Sequence, residues 1–404
     1  MLNEKGIHTF VCSNSWLDVG YGAWLQKFFI NHAHIRLIID NLVKRSFAEA
    51  DINTIISVID APAKKVSDDS ITKFVAFKKP FEQSIFTENL LAIEQVKEER
   101  NITEDFKVVC KTNKQLLEEG TEYDKDEEHK TVNGFNTYVG NKWGGIYLRA
   151  PEIYFKILEK GKGKLVRLGD IADKTQRNNL QSFDKIVEID ENYLINGNYP
   201  YLSSVKDIST IKVNTRKLPK SIKKTTKENK TYLIPDLISN RFLGEKLYFI
   251  EGGDFLIGDT FFVIKLNSKY SKKEVVLSLN STCSLFLIEL IGRRNLGGGL
   301  LTIYGPELMN ISLVNPQTIS FKQINKFDLI YKNLAYREIK PIFEECGIDP
   351  EKNIRDQIPK PKPDRKELDD IIFDIIGLTK DERNEVYWSV CELVQSRLSK
   401  AGSV

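Results

Sequence analysis

Residues 7–16, Ile-His-Thr-Phe-Val-Cys-Ser-Asn-Ser-Trp, read as a buried β-strand that ends in polar residues. A helix is expected over 21–31, a second strand over 34–40 and a third over 52–60. Apolar strands of this kind sit inside a sheet that is covered on both faces. Three of them with one helix cannot supply that cover themselves. The helix carries Trp24, Leu25, Phe28 and Phe29 on one stripe, a face that needs a sheet against it. The segment is therefore expected to complete a doubly wound α/β domain whose earlier strands lie elsewhere, with its edge strand pairing to them. The cofactor loop of such a domain usually follows its first strand, so the chemistry is expected outside this chain.

The 404 residues allow two or three domains, and 41% hydrophobic with 28% charged residues is ordinary for soluble globular protein. No apolar run approaches a membrane span and no signal-peptide pattern is visible. Five widely spaced cysteines suggest neither a disulfide framework nor a zinc site, and a reducing cytoplasm is the expected location. The net charge of +3 is unevenly distributed. Residues 201–250 hold eleven Lys and Arg against four Asp and Glu, which points to a polyanionic partner. The plainer alternative is a solvated lysine-rich loop.

Further along, a helix is expected over 81–95, a strand over 106–111 and a short helix over 115–119, followed by a charged boundary at 122–130. Short β-rich runs then recur at 165–168, 231–234, 246–249 and 261–265, separated by turns such as Gly252-Gly253-Asp254. They suggest an irregular mixed β domain with long loops. From Phe321 the pattern becomes helical. After the proline-broken stretch 359–363, two helices are expected over 365–376 and 381–401.

Several motifs together resemble the C-terminal part of TaqI-like adenine-specific DNA methyltransferases of type II restriction-modification systems. They are Ser13-Asn14-Ser15-Trp16-Leu17-Asp18-Val19-Gly20-Tyr21-Gly22, Arg45-Ser46-Phe47 with Asp51-Ile52-Asn53-Thr54, and Trp143-Gly144-Gly145-Ile146-Tyr147-Leu148-Arg149-Ala150-Pro151. Later come Asp259-Thr260-Phe261-Phe262, Leu279-Asn280-Ser281-Thr282, Gly292-Arg293-Arg294-Asn295-Leu296-Gly297-Gly298-Gly299 and Asp364-Arg365-Lys366-Glu367-Leu368-Asp369-Asp370. The resemblance implies an α+β chain. Residues 1–62 would be terminal strands of a Rossmann-like methyltransferase domain, and 63–130 a mixed insertion or linker. An irregular β-rich target-recognition domain would occupy 131–318, and C-terminal helices 319–404. It also implies a division of labour, in which one part binds S-adenosylmethionine and methylates the exocyclic amine of adenine while the other clamps double-stranded DNA and selects the site. The glycine-rich cofactor loop and the Asn/Asp-Pro-Pro-aromatic tetrapeptide of the first part are not found. The expected partners are therefore duplex DNA and a chain carrying the cofactor-binding and catalytic half. Asn198-Tyr199-Pro200-Tyr201 is rejected as the tetrapeptide, because Tyr replaces its first proline, and is read as a turn.

Phe47, beside Lys44, Arg45 and Ser46 between the second and third strands, is the base-stacking candidate that the resemblance implies. Enzymes acting on a duplex base must extrude it and hold its face. The alternative is a loop Phe tucked into the local core. Asn14, at the carboxyl edge of the first strand, is a pocket-edge candidate, with helix capping as its alternative. Arg293, Arg294, Asn295, Gly297 and Gly298 are candidate DNA contacts. Guanidinium forks suit phosphate or guanine, and glycines let backbone N–H groups approach phosphate; a tight turn with solvated arginines is the alternative. Arg216, Lys217, Lys220, Lys223, Lys224, Lys227 and Lys230 are expected to bind backbone phosphate, and Arg177 and Asn178 to read base edges. His32-x-His34 has no neighbouring ligands, so no metal is expected. Pro235-Asp236 lacks the acidic-x-Lys partner of a nuclease site. The competing functional readings are a stand-alone DNA-binding specificity protein and a non-functional remnant of a restriction-modification gene.

Overall fold

The structure, a computed structural model, describes residues 3, 5–47, 52–62, 65–122, 137–177, 198–218, 220–223, 235–258, 260–294 and 298–403. The chain is α+β, with one six-stranded sheet and several smaller ones. It divides into two units: Met1–Ala150 with Leu290–Leu301 and Gln395–Val404, and Pro151–Glu289 with Thr302–Val394. This division differs from the four expected segments. The strands between Ile71 and Thr112 complete the sheet begun by residues 7–60.

In the first unit, β1 (Ile7–Ser13), α1 (Gly22–His32) and β2 (Ile35–Asn41) form a parallel crossover, with β3 (Thr54–Asp60) lying between the two strands and antiparallel to both. β4 (Ile71–Phe77) pairs parallel to β2. The short helices α2 (Phe81–Ser84) and α3 (Thr87–Gln95) follow, then β5 (Arg100–Ile102), β6 (Phe106–Thr112) and α4 (Asn113–Glu119). The sheet order is β1-β3-β2-β4-β6-β5. The expected single helix over 81–95 is broken at Ile85–Phe86, the second of which is extended.

The continuous apolar runs of β2, β4 and β6 are explained by cover on both faces. Ile38, Phe74 and Val109 pack on one side with Trp16, Trp143 and Tyr147, while Ile39, Val75 and Val108 pack on the other with Ile93 and Phe106. Each fully buried side chain of this size contributes about 1.5–3 kcal/mol. β1 departs from the expectation of a buried strand. It stops at Ser13, gives way to a 3-10 turn over Asn14–Leu17, and lies exposed at the edge of the sheet.

The stripe on α1 is also turned differently. Gly22, Gln26 and Ile30 are its buried positions, whereas Trp24 is exposed. A buried glutamine must satisfy both ends of its amide, and Gln26 does. Its Nε2 donates to the carbonyls of Trp16, Leu17 and Asn141, and its Oε1 accepts from the Tyr138 hydroxyl and the Asn141 N–H. Gly22 permits this seating, since a Cβ there would lie 1.9 Å from the Trp16 carbonyl oxygen. Gly22→Ala is expected to cost about 1–3 kcal/mol by overpacking against backbone, read as a lowered midpoint in thermal unfolding.

The second unit contains an antiparallel sheet ordered Ala172–Arg177, Phe261–Leu266, Leu237–Asn240, Phe249–Glu251. The strand expected at 246–249 thus lies three residues later, and the one expected at 231–234 falls outside the described residues. Asn198–Leu202 pairs antiparallel with Lys220–Lys223 and parallel with Leu256–Ile257. Asn198-Tyr199-Pro200-Tyr201 is therefore extended strand, not the expected turn.

This unit also holds a buried ionic cluster built on Asp369 and Arg365 of helix Pro363–Ile376 and Glu345 of helix Ile342–Cys346. Asp369 accepts from the Thr282 N–H (2.7 Å) and hydroxyl (2.6 Å), and Tyr387 donates to it at 3.0 Å. Arg365 donates to Glu345 at 2.7 Å and to the Asn280 carbonyl at 2.9 Å. Arg337 forks onto both oxygens of Glu345 at 2.6 Å. The last helix spans Lys380–Ala401. Among the described residues no single helix is long and apolar enough to cross a membrane.

Candidate functional site

Because β1 and β2 run parallel to each other, they end at the same edge of the sheet, where antiparallel β3 begins. A polar cleft forms there within the first unit. Asn14 follows β1, Asp40 lies in β2 and Asn53 precedes β3. Arg149, Arg294, Arg397 and Lys400 line the remainder. The Asn14 N–H donates to the Asn53 carbonyl (3.0 Å), and Asn53 Nδ2 donates to the Arg294 carbonyl.

Lys400 reaches Asp40 at 2.9 Å and Arg149 reaches Asp18 at 3.0 Å. Asp18 is fixed in turn by the Gly145 N–H at 3.0 Å. The amide oxygens of Asn14 and Asn53 have no hydrogen-bond partner among the described residues, although both side chains are buried. An unmet buried acceptor costs about 1–3 kcal/mol. The cleft therefore offers two acceptors beside a set of fixed cations, an arrangement suited to a polar group that can donate hydrogen bonds. Capping does not explain Asn14. Ser13 is the residue that caps the 3-10 turn, accepting from the Ser15 N–H.

Phe47 lies in the loop leading from this edge and is 50% exposed, so it is not tucked into the core. The loop is shaped by the Asn41 side chain, whose Oδ1 accepts from the N–H groups of Val43 (2.9 Å) and Lys44 (2.8 Å). Arg45 is buried and donates to the Ala401 carbonyl at 3.1 Å, while its own N–H donates to Ser403. These anchors hold Arg45 inside, while Ser46 and Phe47 stand exposed.

The arginine–glycine loop is placed differently from the expectation. Arg294 is only 8% exposed and lines the cleft. Arg293 is half-buried and Gly298 exposed; Asn295 and Gly297 lie outside the described residues. Gly299 has a left-handed φ of 72° and packs beside Ala401 and Leu398 of the last helix. The segment is thus built into the first unit rather than into the β-rich unit.

In the second unit, Arg216 and Lys217 stand exposed on a 3-10 turn, Thr215–Lys217, which Asn214 caps. Lys220 and Lys223 begin and end the strand that follows. Arg177 closes its strand opposite Phe262. Lys224, Lys227, Lys230 and Asn178 lie outside the described residues. His34 is held by Asp60 and by the Ile71 carbonyl, both at 2.9 Å.

Asp40, Asn53, Arg149, Arg397 and Lys400 were not singled out from the sequence. Two of them, Asn53 and Arg149, do stand within the motifs that carry the family resemblance. The others come from segments that no local pattern connects.

Residues 246–345 match the family model for the C-terminal domain of the type II methyltransferase M.Eco57I. That segment takes in the Phe261–Leu266 strand, both helices between Lys272 and Ile291, and Glu345 of the ionic cluster. It places this quarter of the chain alongside a domain of restriction-modification methyltransferases. A comparison with curated proteins gives no match. Among solved structures, the type IIG restriction endonuclease BpuSI aligns with 99% of this chain and 48% of its own, at 10% identity and a TM-score of 0.48. The chain thus spans about half the length of that enzyme, and a likeness of this degree defines neither a site nor an activity.

Proposed function

We propose that this chain is the DNA-binding, target-recognition part of a site-specific adenine DNA methyltransferase. A polypeptide bearing the S-adenosylmethionine loop and the Asn/Asp-Pro-Pro-aromatic tetrapeptide would complete the enzyme. The observation that carries this reading is the match of residues 246–345 to the C-terminal domain of a type II methyltransferase. The basic stretch ending just before that segment supports it, since phosphate contacts from Arg and Lys supply affinity independent of sequence.

The residues present do not fit the methyl donor. A phosphate- or nucleoside-binding turn needs glycines where backbone approaches ligand. The turns after the parallel strands β2 and β4, Leu42–Phe47 and Lys78–Pro80, hold none; of the two in the turn after β1, Gly22 is packed against the Trp16 carbonyl and Gly20 alone is open. The cofactor is therefore assigned to the partner polypeptide. This chain contributes duplex grip and, through Phe47, a face on which an extruded adenine stacks beside the polar cleft.

Reconstitution tests the reading. Mixed with the cofactor-bearing polypeptide, the chain is expected to support transfer of the labelled methyl group to adenine in a specific duplex. Phe47→Ala should lower that rate by roughly 10- to 100-fold, the usual worth of one base–aromatic stack, and leave duplex affinity unchanged. Methyl transfer indifferent to the presence of this chain would refute the proposal.

A further inference from the structure

Arg241 belongs to none of the sequence motifs named above, and it is built in differently from the exposed basic run. It follows the strand Leu237–Asn240, and its N–H donates to the Thr260 carbonyl at 3.3 Å. Its own carbonyl accepts from the Ile303 N–H at 2.9 Å. These backbone bonds fix it at the end of the antiparallel sheet where Phe261–Leu266 begins. Arg177 closes the strand on the other side, opposite Phe262. The two arginines thus stand at one end of the sheet, on the two strands that flank Phe261–Leu266.

The Arg241 side chain is half-buried and gripped by two rings. Its guanidinium carbon lies 4.6 Å from the centre of the Tyr304 ring and 5.0 Å from that of Phe242, and Nη2 donates to the Tyr304 hydroxyl at 2.8 Å. Both distances fall within the reach of cation–π attraction. Among the described residues no carboxylate pairs with it, and its buried Nε has no hydrogen-bond partner. Arg337 and Arg365 of the same unit are treated otherwise, since both bind Glu345. Drawing a cation partly out of water without a counter-charge is costly, and the rings offset only part of that cost. Such a guanidinium is held ready for acceptors that the described residues do not supply.

We propose that Arg241 reads a guanine in the major groove of the target duplex. This rests on the function proposed above and gives it a residue that chooses sequence. Guanine presents O6 and N7 side by side, a pair of acceptors that a planar fork meets with two hydrogen bonds. Charge alone suffices for a backbone phosphate, and the exposed Arg216 and Lys217 are suited to that task. A guanidinium immobilised beforehand by two rings and a hydroxyl loses little freedom on binding. It therefore gains most where the acceptors have one fixed direction.

The test selects duplexes from a randomised pool with the full chain, then repeats the selection with Arg241→Gln and Arg241→Lys. The parent chain is expected to enrich a site in which one position is held as guanine. Both variants should lose that preference by about 10- to 100-fold and keep the remaining positions and the salt dependence. Lysine keeps the charge without the fork, so this variant separates base reading from phosphate binding. Replacing the guanine by 7-deazaguanine should weaken the parent chain and leave both variants unmoved. That arm requires no change in the protein, and it decides the matter even where a variant folds poorly.

Unchanged preference in either variant would overturn the inference, as would a parent chain indifferent to 7-deazaguanine or a selected site without a fixed guanine. A loss of affinity shared by all duplexes, with a salt slope shallower by about one, would make Arg241 a phosphate contact and overturn it equally. Failure of the parent chain to bind any duplex would strike the functional reading instead, so the two failures are distinguishable.

Discussion

Glu345→Ala is expected to remove about 3–5 kcal/mol of folding stability, the usual cost of stripping one partner from a buried ion pair. Glu345 is buried with Arg365 at its side, and Arg337 closes over both of its oxygens. Without the carboxylate, two guanidinium groups face each other with their shared counter-charge gone. Burial alone would push this carboxyl up. The hydrogen bonds and charges of Arg337 and Arg365 more than offset that and hold it at about 2. A folded-state value below the ordinary 4.5 means that the contribution is complete above about pH 4.5. It is lost as the pH falls toward 2, where the folded carboxyl itself takes up a proton. Thermal unfolding at pH 7 should show a large fall in Tm for the variant. In a series from pH 5 to pH 2, the parent chain should lose more stability than the variant. Equal acid sensitivity in the two would contradict this account of the cluster.

The second large effect concerns DNA. Changing Arg216, Lys217, Lys220 and Lys223 together to glutamine is expected to weaken duplex binding about a hundredfold in 50 mM salt. The slope of log affinity against log salt should become shallower by about 3–4, close to one for each phosphate contact removed. Arg216 and Lys217 are exposed on a turn outside the buried core, so folding should be unaffected. The change should act alike on specific and unrelated duplexes, because phosphate contacts position a protein without reading sequence. A variant that lost affinity for only one duplex would assign these residues to base reading instead.

Much of the α+β organisation was legible because local pattern and tertiary environment agree. Phe106–Thr112 alternates between two covered faces, and Pro363–Ile376 keeps Leu368, Ile372 and Ile376 buried at helical spacing. β1 shows the limit of such patterning. An apolar strand reads the same whether it lies in the middle of a sheet or at its edge. Gln26 was invisible for a related reason, since a polar residue amid apolar ones normally marks the solvent face, whereas here five hydrogen bonds hold it inside. Arg293-Arg294 before three glycines read as a ligand loop, and only the packing of the last helix against this segment shows Arg294 buried. The cleft is the least local feature of all, gathering residues from Asn14 to Lys400 across the length of the chain. The motif-borne family resemblance was sounder ground. Its densest stretch, Leu279–Gly299, falls inside the segment that matches the methyltransferase C-terminal domain.

The most direct test of the account is a titration of the full chain with a labelled duplex between 50 and 200 mM salt, repeated with saturating S-adenosylmethionine. The account predicts binding that weakens steeply as salt rises, identical curves with and without the methyl donor, and no label transferred to the DNA. Methylation of the duplex by this chain on its own, or an absence of duplex binding at 50 mM salt, would contradict it.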